Sequence, residues 1–175
     1  EDLAIFRTLP GMTVVHPCDD LSAEEFTVQL KDIGGPSYMR TARNKTKRLY
    51  DDDSVGGLKI GNGSVLREGE DVAILSCGVM VERSLEAAFD LSKEGIESTV
   101  VDMHTIKPLD APLLDRVSKE CGCLVTAEDH SVIGGLGSAV AEWLSLNRPI
   151  PLEMVGVADR FGESGDSDDL MLILG

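Results

Sequence analysis

Val72-Ala73-Ile74-Leu75-Ser76-Cys77 is a nearly unbroken apolar run, and Val81, Leu85, Ala88 and Phe89 follow it at helical spacing on one face. A strand that is apolar on both faces belongs in a sheet covered on both sides, the usual setting of a parallel sheet. Gly95 closes the helix behind it. The unit then repeats. Residues 99–103 read as a strand, and Asp110 with Pro112 opens a helix carrying Leu113, Leu114 and Val117. A strand over residues 123–127, a helix with Leu136, Val140, Trp143 and Leu144, a strand over Leu152–Val157 and a helix over 168–174 complete the alternation. This order predicts βαβ units joined by right-handed crossovers. The expected fold class is α/β, a predominantly parallel sheet with helices on both faces.

Upstream the pattern is less complete. Residues 12–15 form a short apolar run closed by Pro17. Ser22-Ala23-Glu24-Glu25 matches a capping box, Phe26, Leu30 and Ile33 follow at helical spacing, and Gly34-Gly35 ends the helix. Residues 37–41 read as a strand, and residues 1–9 as a helix entered partway. Two strands around one helix are too little to close a core, so residues 1–50 are expected to be the end of a larger domain. Residues 51–63, rich in Asp and Gly, are expected to be a linker, and residues 64–175 a second domain.

The 175 residues carry 16 Lys and Arg against 31 Asp and Glu, a net charge of −15. Such a field disfavours nucleic acid and anionic membrane surfaces as partners. No apolar run approaches the ~20 residues that span a bilayer, and no signal-peptide pattern opens the sequence. A cytoplasmic location is expected. Cys18, Cys77, Cys121 and Cys123 show neither zinc spacing nor a disulfide framework, so they read as inert thiols with no metal.

Against that negative field, residues 40–48 hold five cations and no acid. The stretch follows an expected strand, and ligands of α/β sheets gather at strand carboxyl ends. Arginine there can grip a phosphate or carboxylate with two N–H groups. A solvated loop, or a patch docking on an acidic neighbour, is the other reading. Glu128-Asp129-His130 before Gly134-Gly135-Leu136-Gly137 invites an acid–base or phosphate-cradle reading, but the glycine spacing meets neither nucleotide fingerprint. A strand end, a tight turn and a closely packed helix explain these residues as well. His16 and His104 read as hydrogen-bonded loop histidines, and Asp166, Asp168 and Asp169 as helix-capping acids. No residue set is complete for catalysis.

The ordered motifs resemble the transketolase family. Residues 1–7, Pro10 to Val14 and Pro17-Cys18-Asp19 are similar to the late part of its pyrimidine-binding domain, and residues 35–43 to that domain's last strand. Residues 105–110, Glu128-Asp129-His130, Gly134 to Gly137 and Phe161 to Gly165 are similar to its C-terminal domain. The resemblance implies a two-carbon ketol transfer between sugar phosphates, dependent on thiamine diphosphate and Mg²⁺, in the cytoplasm and in the pentose phosphate pathway. It implies that the cofactor, metal and catalytic residues lie outside this chain, so that the chain needs an N-terminal section or the missing domains as partner. It implies a homodimer with contacts through the C-terminal domain. Arg43, second in the pair Arg40-x-x-Arg43, matches the family arginine that binds the substrate phosphate, whereas Arg40 matches a structural position. The same resemblance extends to deoxyxylulose-phosphate synthase and to 2-oxo-acid dehydrogenase β subunits. The other reading is a non-catalytic assembly or regulatory module that binds an anionic metabolite through residues 40–48.

Overall fold

The structure is a computed structural model that describes residues 1–43 and 45–174, without the side chains of Ser167, Asp168, Leu172 and Leu174. The first part of the chain forms α1 (Asp2–Thr8), β1 (Thr13–Val15), α2 (Asp20–Leu30) and β2 (Ser37–Met39). One 3-10 turn (Val55–Gly57) lies in the Asp/Gly-rich stretch. Then come β3 (Ser64–Arg67), β4 (Val72–Ser76), α3 (Met80–Lys93), β5 (Ser98–Asp102), β6 (Thr105–Lys107) and α4 (Ala111–Cys121). β7 (Leu124–Ser131), α5 (Leu136–Asn147), β8 (Leu152–Val157) and α6 (Ser167–Leu174) complete the chain.

Five strands form one sheet in the order β3-β5-β4-β7-β8. β5, β4, β7 and β8 run parallel, and β3 is antiparallel to β5 at one edge. Alternation along β4 sorts the helices onto two faces. Ala73 and Leu75 pack with Leu114 and Val117 of α4 and Leu136 and Val140 of α5. Ile74 packs on the other side, with Ala88 of α3 and Val100 of β5. The α/β architecture with helices on both faces is therefore present. Phe89, expected on the packed face of α3, is 63% exposed and lies under the Lys93 ammonium instead.

A smaller sheet has the order β2-β1-β6. β1 is parallel to β2 and antiparallel to β6. β6 begins only three positions after β5 ends, so the chain passes directly from the large sheet into the small one. Sequence periodicity missed both β3 and β6. Each is short, and each exists because a partner strand takes its hydrogen bonds. Leu3, Met12 and Val14 pack into the same apolar cluster as Leu75, Val101 and Leu114. Burying each such side chain contributes roughly 1.5–3 kcal/mol.

Asp19 organises the entry to α2. Its side chain accepts the Ser22 N–H at 2.8 Å, and the Ser22 hydroxyl accepts the Asp19 N–H in return at 3.2 Å. The helix thus starts earlier than the Ser22 box implied, with Asp19 as cap and Ser22 as its reciprocal partner. The second carboxylate oxygen of Asp19 accepts the N–H groups of Leu49 and Tyr50 at 2.8 and 3.0 Å. One buried carboxylate thereby ties the helix start to Leu49 and Tyr50, the residues that follow the cationic segment. Of the acids expected to cap α6, Asp168 has its side chain outside the described residues.

Among the buried titratable side chains are His16, His104 and Asp102. Burial pushes His16 down to about 3 and His104 down to about 4, so both imidazoles are neutral at pH 7. Burial raises the Asp102 carboxyl to about 7, and the Tyr50 hydroxyl donates to it at 3.0 Å.

Two outcomes are expected. Asp19→Ala removes a helix cap and strands two further N–H groups, and should lower unfolding stability by about 3 kcal/mol. Urea unfolding reads this, and a loss under about 1 kcal/mol would show that the carboxylate is not the tie. Asp102 binds its proton more tightly folded than unfolded, so its contribution to stability is present below its unfolded pKa near 3.8 and is lost as pH rises to about 7. Asp102→Asn should remove that loss. Equal pH slopes for the two proteins between pH 5 and 8 would contradict the assignment.

Candidate functional site

The cationic segment begins where β2 ends. Its first residue extends the sheet, since the Arg40 N–H donates to the Val15 carbonyl at 2.9 Å. The Arg40 guanidinium meets the Asp129 carboxylate at two points, Nη1 to Oδ1 at 3.3 Å and Nη2 to Oδ2 at 3.1 Å. Nη2 also donates to the Asp129 carbonyl at 3.1 Å, and Nε lies 3.6 Å from Asp2 Oδ2. At the other end, Arg48 grips Asp20 through Nε and Nη2, at 2.8 and 2.6 Å. Lys47 Nζ stands 3.8 Å from Glu82. Three of the five cations are thus neutralised within the chain. Arg43 and Lys45 are exposed and have no ion-pair partner among the described residues. Asn44 between them lies outside the described residues.

Arg43 and Lys45 line an open cleft of about 950 Å³, together with Arg40, Val79, Arg83 and Asp129. Its walls are the segments that leave the carboxyl ends of β1, β2 and β4, the late part of β7, and Gly165, Asp166 and Met171 near the end of the chain. That is where α/β sheets place ligands. Cys18 forms part of the floor, and burial raises its thiol, so it is no nucleophile at neutral pH.

The sheet order also defines a switch point. From β4 the chain first builds β5 on one side and then β7 on the other. The crevice outside β4 and β7 is the expected ligand position of this sheet. Here the chain fills it with its own side chains. The His16 ring lies against Gly78, where a Cβ would come within 2.1 Å of the imidazole. Gly78 also has φ +58°, so a side chain is excluded twice over.

The glycine turn before α5 is filled as well. Glu128 accepts the Leu136 and Gly137 N–H groups at 2.7 and 2.8 Å. A Cβ on Gly135 would sit 1.9 Å from the Glu128 carboxylate. The glycines make room for the protein's own anion at a helix N-terminus, the position a phosphate would take. Burial raises the Glu128 carboxyl, and these two N–H donors oppose the shift. His130 Nδ1 stands 2.7 Å from the Ser131 carbonyl and therefore carries the proton. Its Nε2 accepts the Ala4 N–H at 3.5 Å. Glu128, Asp129 and His130 are each engaged with the fold, and Asp129 joins Arg40 rather than His130. Burial raises the Asp129 carboxyl and the Arg40 charge opposes it. Sequence reasoning had no signal for the Arg40–Asp129 contact or for Lys45 as the second unpaired cation; both depend on which acids the fold brings to residues 40–48.

The family described as "Transketolase, C-terminal domain" matches residues 61–175. The 6-deoxy-6-sulfo-D-fructose transketolase subunit SqwH of Clostridium sp. (strain MSTE9) is 45% identical over 97% of this chain and 52% of its own length. An apulose-4-phosphate transketolase subunit from Phocaeicola vulgatus is 34% identical over 97% of this chain and 54% of its own. This chain thus spans about half the length of these curated relatives. A solved split-gene transketolase, described as an inactive β4 tetramer, covers 100% of this chain and 57% of that one, with a TM-score of 0.96 and 45% identity. A matched C-terminal domain, a shared fold and these relatives agree with one another: the chain belongs to the transketolase family and carries its C-terminal domain.

Proposed function

We propose that this chain is the C-terminal section of a thiamine-diphosphate-dependent transketolase that moves a two-carbon ketol unit between anionic sugars in the cytoplasm. In this reading residues 1–50 end a pyrimidine-binding domain, residues 51–63 link, and residues 64–175 are the C-terminal domain. The observation that carries it is the pair of unneutralised cations, Arg43 and Lys45, at the carboxyl ends of the strands. A chain of net charge −15 has acids to spare, yet it leaves these two cations open to the cleft. Arg43 is the proposed contact for the anionic end of the sugar, since its planar fork matches a tetrahedral oxyanion at two points. One relative is named for a phosphorylated sugar and another for a sulfonated one, and both groups present such oxygens. The sugar phosphates of the pentose phosphate pathway fall in the same class.

The described residues do not fit thiamine diphosphate or its Mg²⁺. The helix start behind the glycine turn already holds Glu128. The cleft is walled by Arg40, whose charge Asp129 has taken, and by the open Arg43 and Lys45. The reacting groups therefore lie outside these residues, in an N-terminal section or in the missing domains, and this chain contributes substrate binding and assembly surface. A structural relative described as an inactive β4 tetramer, of which this chain matches 57%, supports self-association of a subunit that contains such a section. It also gives weight to the second reading, a non-catalytic module that binds an anionic metabolite in the same cleft.

Alone, the chain should transfer no ketol unit, and adding the complementing section should establish activity. In that assembled enzyme Arg43→Ala should raise KM for the phosphorylated substrate about 10- to 100-fold with kcat little changed, the value of one charge-assisted contact used equally in ground and transition states. Steady-state kinetics checks this, and an unchanged KM would remove Arg43 from the site. Saturable binding of sugar phosphate by the chain alone, with no activity from any complement, would favour the module.

A further inference from the structure

Residues 40–48 are pinned at both ends and open in the middle. At the far end Arg48 rests on Asp20, and the Leu49 and Tyr50 N–H groups rest on Asp19. These anchors come from α2 and its cap, within the same part of the chain. At the near end the anchor is Asp129 on β7, 89 residues away in sequence. Only two residues, Thr41 and Ala42, separate the anchored Arg40 from the open Arg43. Arg40 itself lines the cleft, and without Asp129 its guanidinium would keep only the Asp2 contact at 3.6 Å.

The surroundings of Asp129 leave it to this one task. Its two carboxylate oxygens both face Arg40; His16 Nδ1 lies 3.8 Å from Oδ1, and Asp2, His130 and Cys77 are the other titratable groups whose charges act on it. His16 is neutral at pH 7 and does not compete for the carboxylate. Asp2 shares Arg40 from the opposite side and holds the Tyr38 hydroxyl at 2.6 Å. The end of β2 is thus held from α1 and from β7 together.

We infer that Asp129 is a positioning residue for substrate binding: its two-point hold on Arg40 fixes the end of β2 and thereby the reach of Arg43 into the cleft. β7 supplies no cation to the ligand, yet through Asp129 it sets the affinity for the substrate's anionic end. The inference rests on the proposed role of Arg43. It also explains why two arginines three residues apart serve different ends. The first is paired with a carboxylate, so that of the two arginines the second is left for the ligand.

The test uses the enzyme assembled from this chain and its complementing section, with a phosphorylated aldose as acceptor and inorganic phosphate as competing probe. Asp129→Asn, Arg43→Ala and the double variant are compared. Asp129→Asn is expected to raise the acceptor KM and the phosphate Ki several-fold, with kcat within about twofold. The double variant is expected to be no weaker than Arg43→Ala alone, because both changes remove the same contact. A merely structural role would lower the folded fraction, and with it kcat, and would leave KM in place. Effects that multiply in the double variant, an unchanged KM in Asp129→Asn, or tighter phosphate binding through a released Arg40 would each overturn the inference while Arg43 keeps its role. No effect of Arg43→Ala would overturn both. Should Asp129→Asn not fold, Arg40→Lys takes its place, since it keeps the charge and loses the fork; the same KM rise and the same lack of additivity are expected.

Discussion

A parallel sheet whose crossovers diverge leaves a crevice at the carboxyl ends of its central strands, and backbone groups exposed there need partners. In many α/β proteins a nucleotide or substrate fills that space. This molecule fills it from within. His16 covers Gly78 beyond β4, Arg40 covers Asp129 on β7, and Glu128 occupies the amides at the start of α5. Most of what surrounds the cleft follows from that arrangement. The first part of the chain is held against the large sheet because it supplies the filling, and the true opening lies beyond it, along residues 40–46.

Charge is distributed with the same economy. The excess of acids is not spread evenly over the cationic segment. Asp129 and Asp2 take Arg40, Asp20 takes Arg48, and Glu82 stands by Lys47. The exposed pairs of Arg48 and Lys47 are worth little to stability, whereas the Arg40–Asp129 pair is partly buried. Their effect is selective: they cancel the cations that hold the loop and leave uncancelled the two that face the cleft. A ligand carrying negative charge then meets two unneutralised cations, in a cleft whose walls also carry Glu82, Glu86 and Asp166.

The sequence disclosed what rests on long apolar periodicity. β4 and α3, α4 behind Asp110, α5, and β8 with its bounds at Leu152 and Val157 are legible as runs or helical faces. β3 and β6 are not, because Ser64–Arg67 and Thr105–Lys107 are too short to show a period and become strands only through their partners. The α2 cap was misplaced by three residues because Asp19 and Ser22 both fit a capping pattern, and only the reciprocal hydrogen bonds choose between them. Of the site, the cationic cluster was visible as composition, and Arg43 stood out only through family resemblance. Asp129 was visible only beside His130, because its partner is distant along the chain.

The passage of β6 out of the large sheet has a consequence for how the molecule comes together in time. β1 pairs Val15 with Thr105, so one side of this strand waits for residues made about 90 positions later. Closing a loop of that length costs about 4 kcal/mol of chain entropy before any contact returns it. β1 is therefore completed only after β6 has been made, and one side of it stays unpaired while the β4–β5 unit forms around local contacts. During synthesis the edge of β1 is an unprotected strand edge, the kind that pairs with another chain if it is not covered. The three residues of β6 close that interval, and they follow directly on β5 of the large sheet.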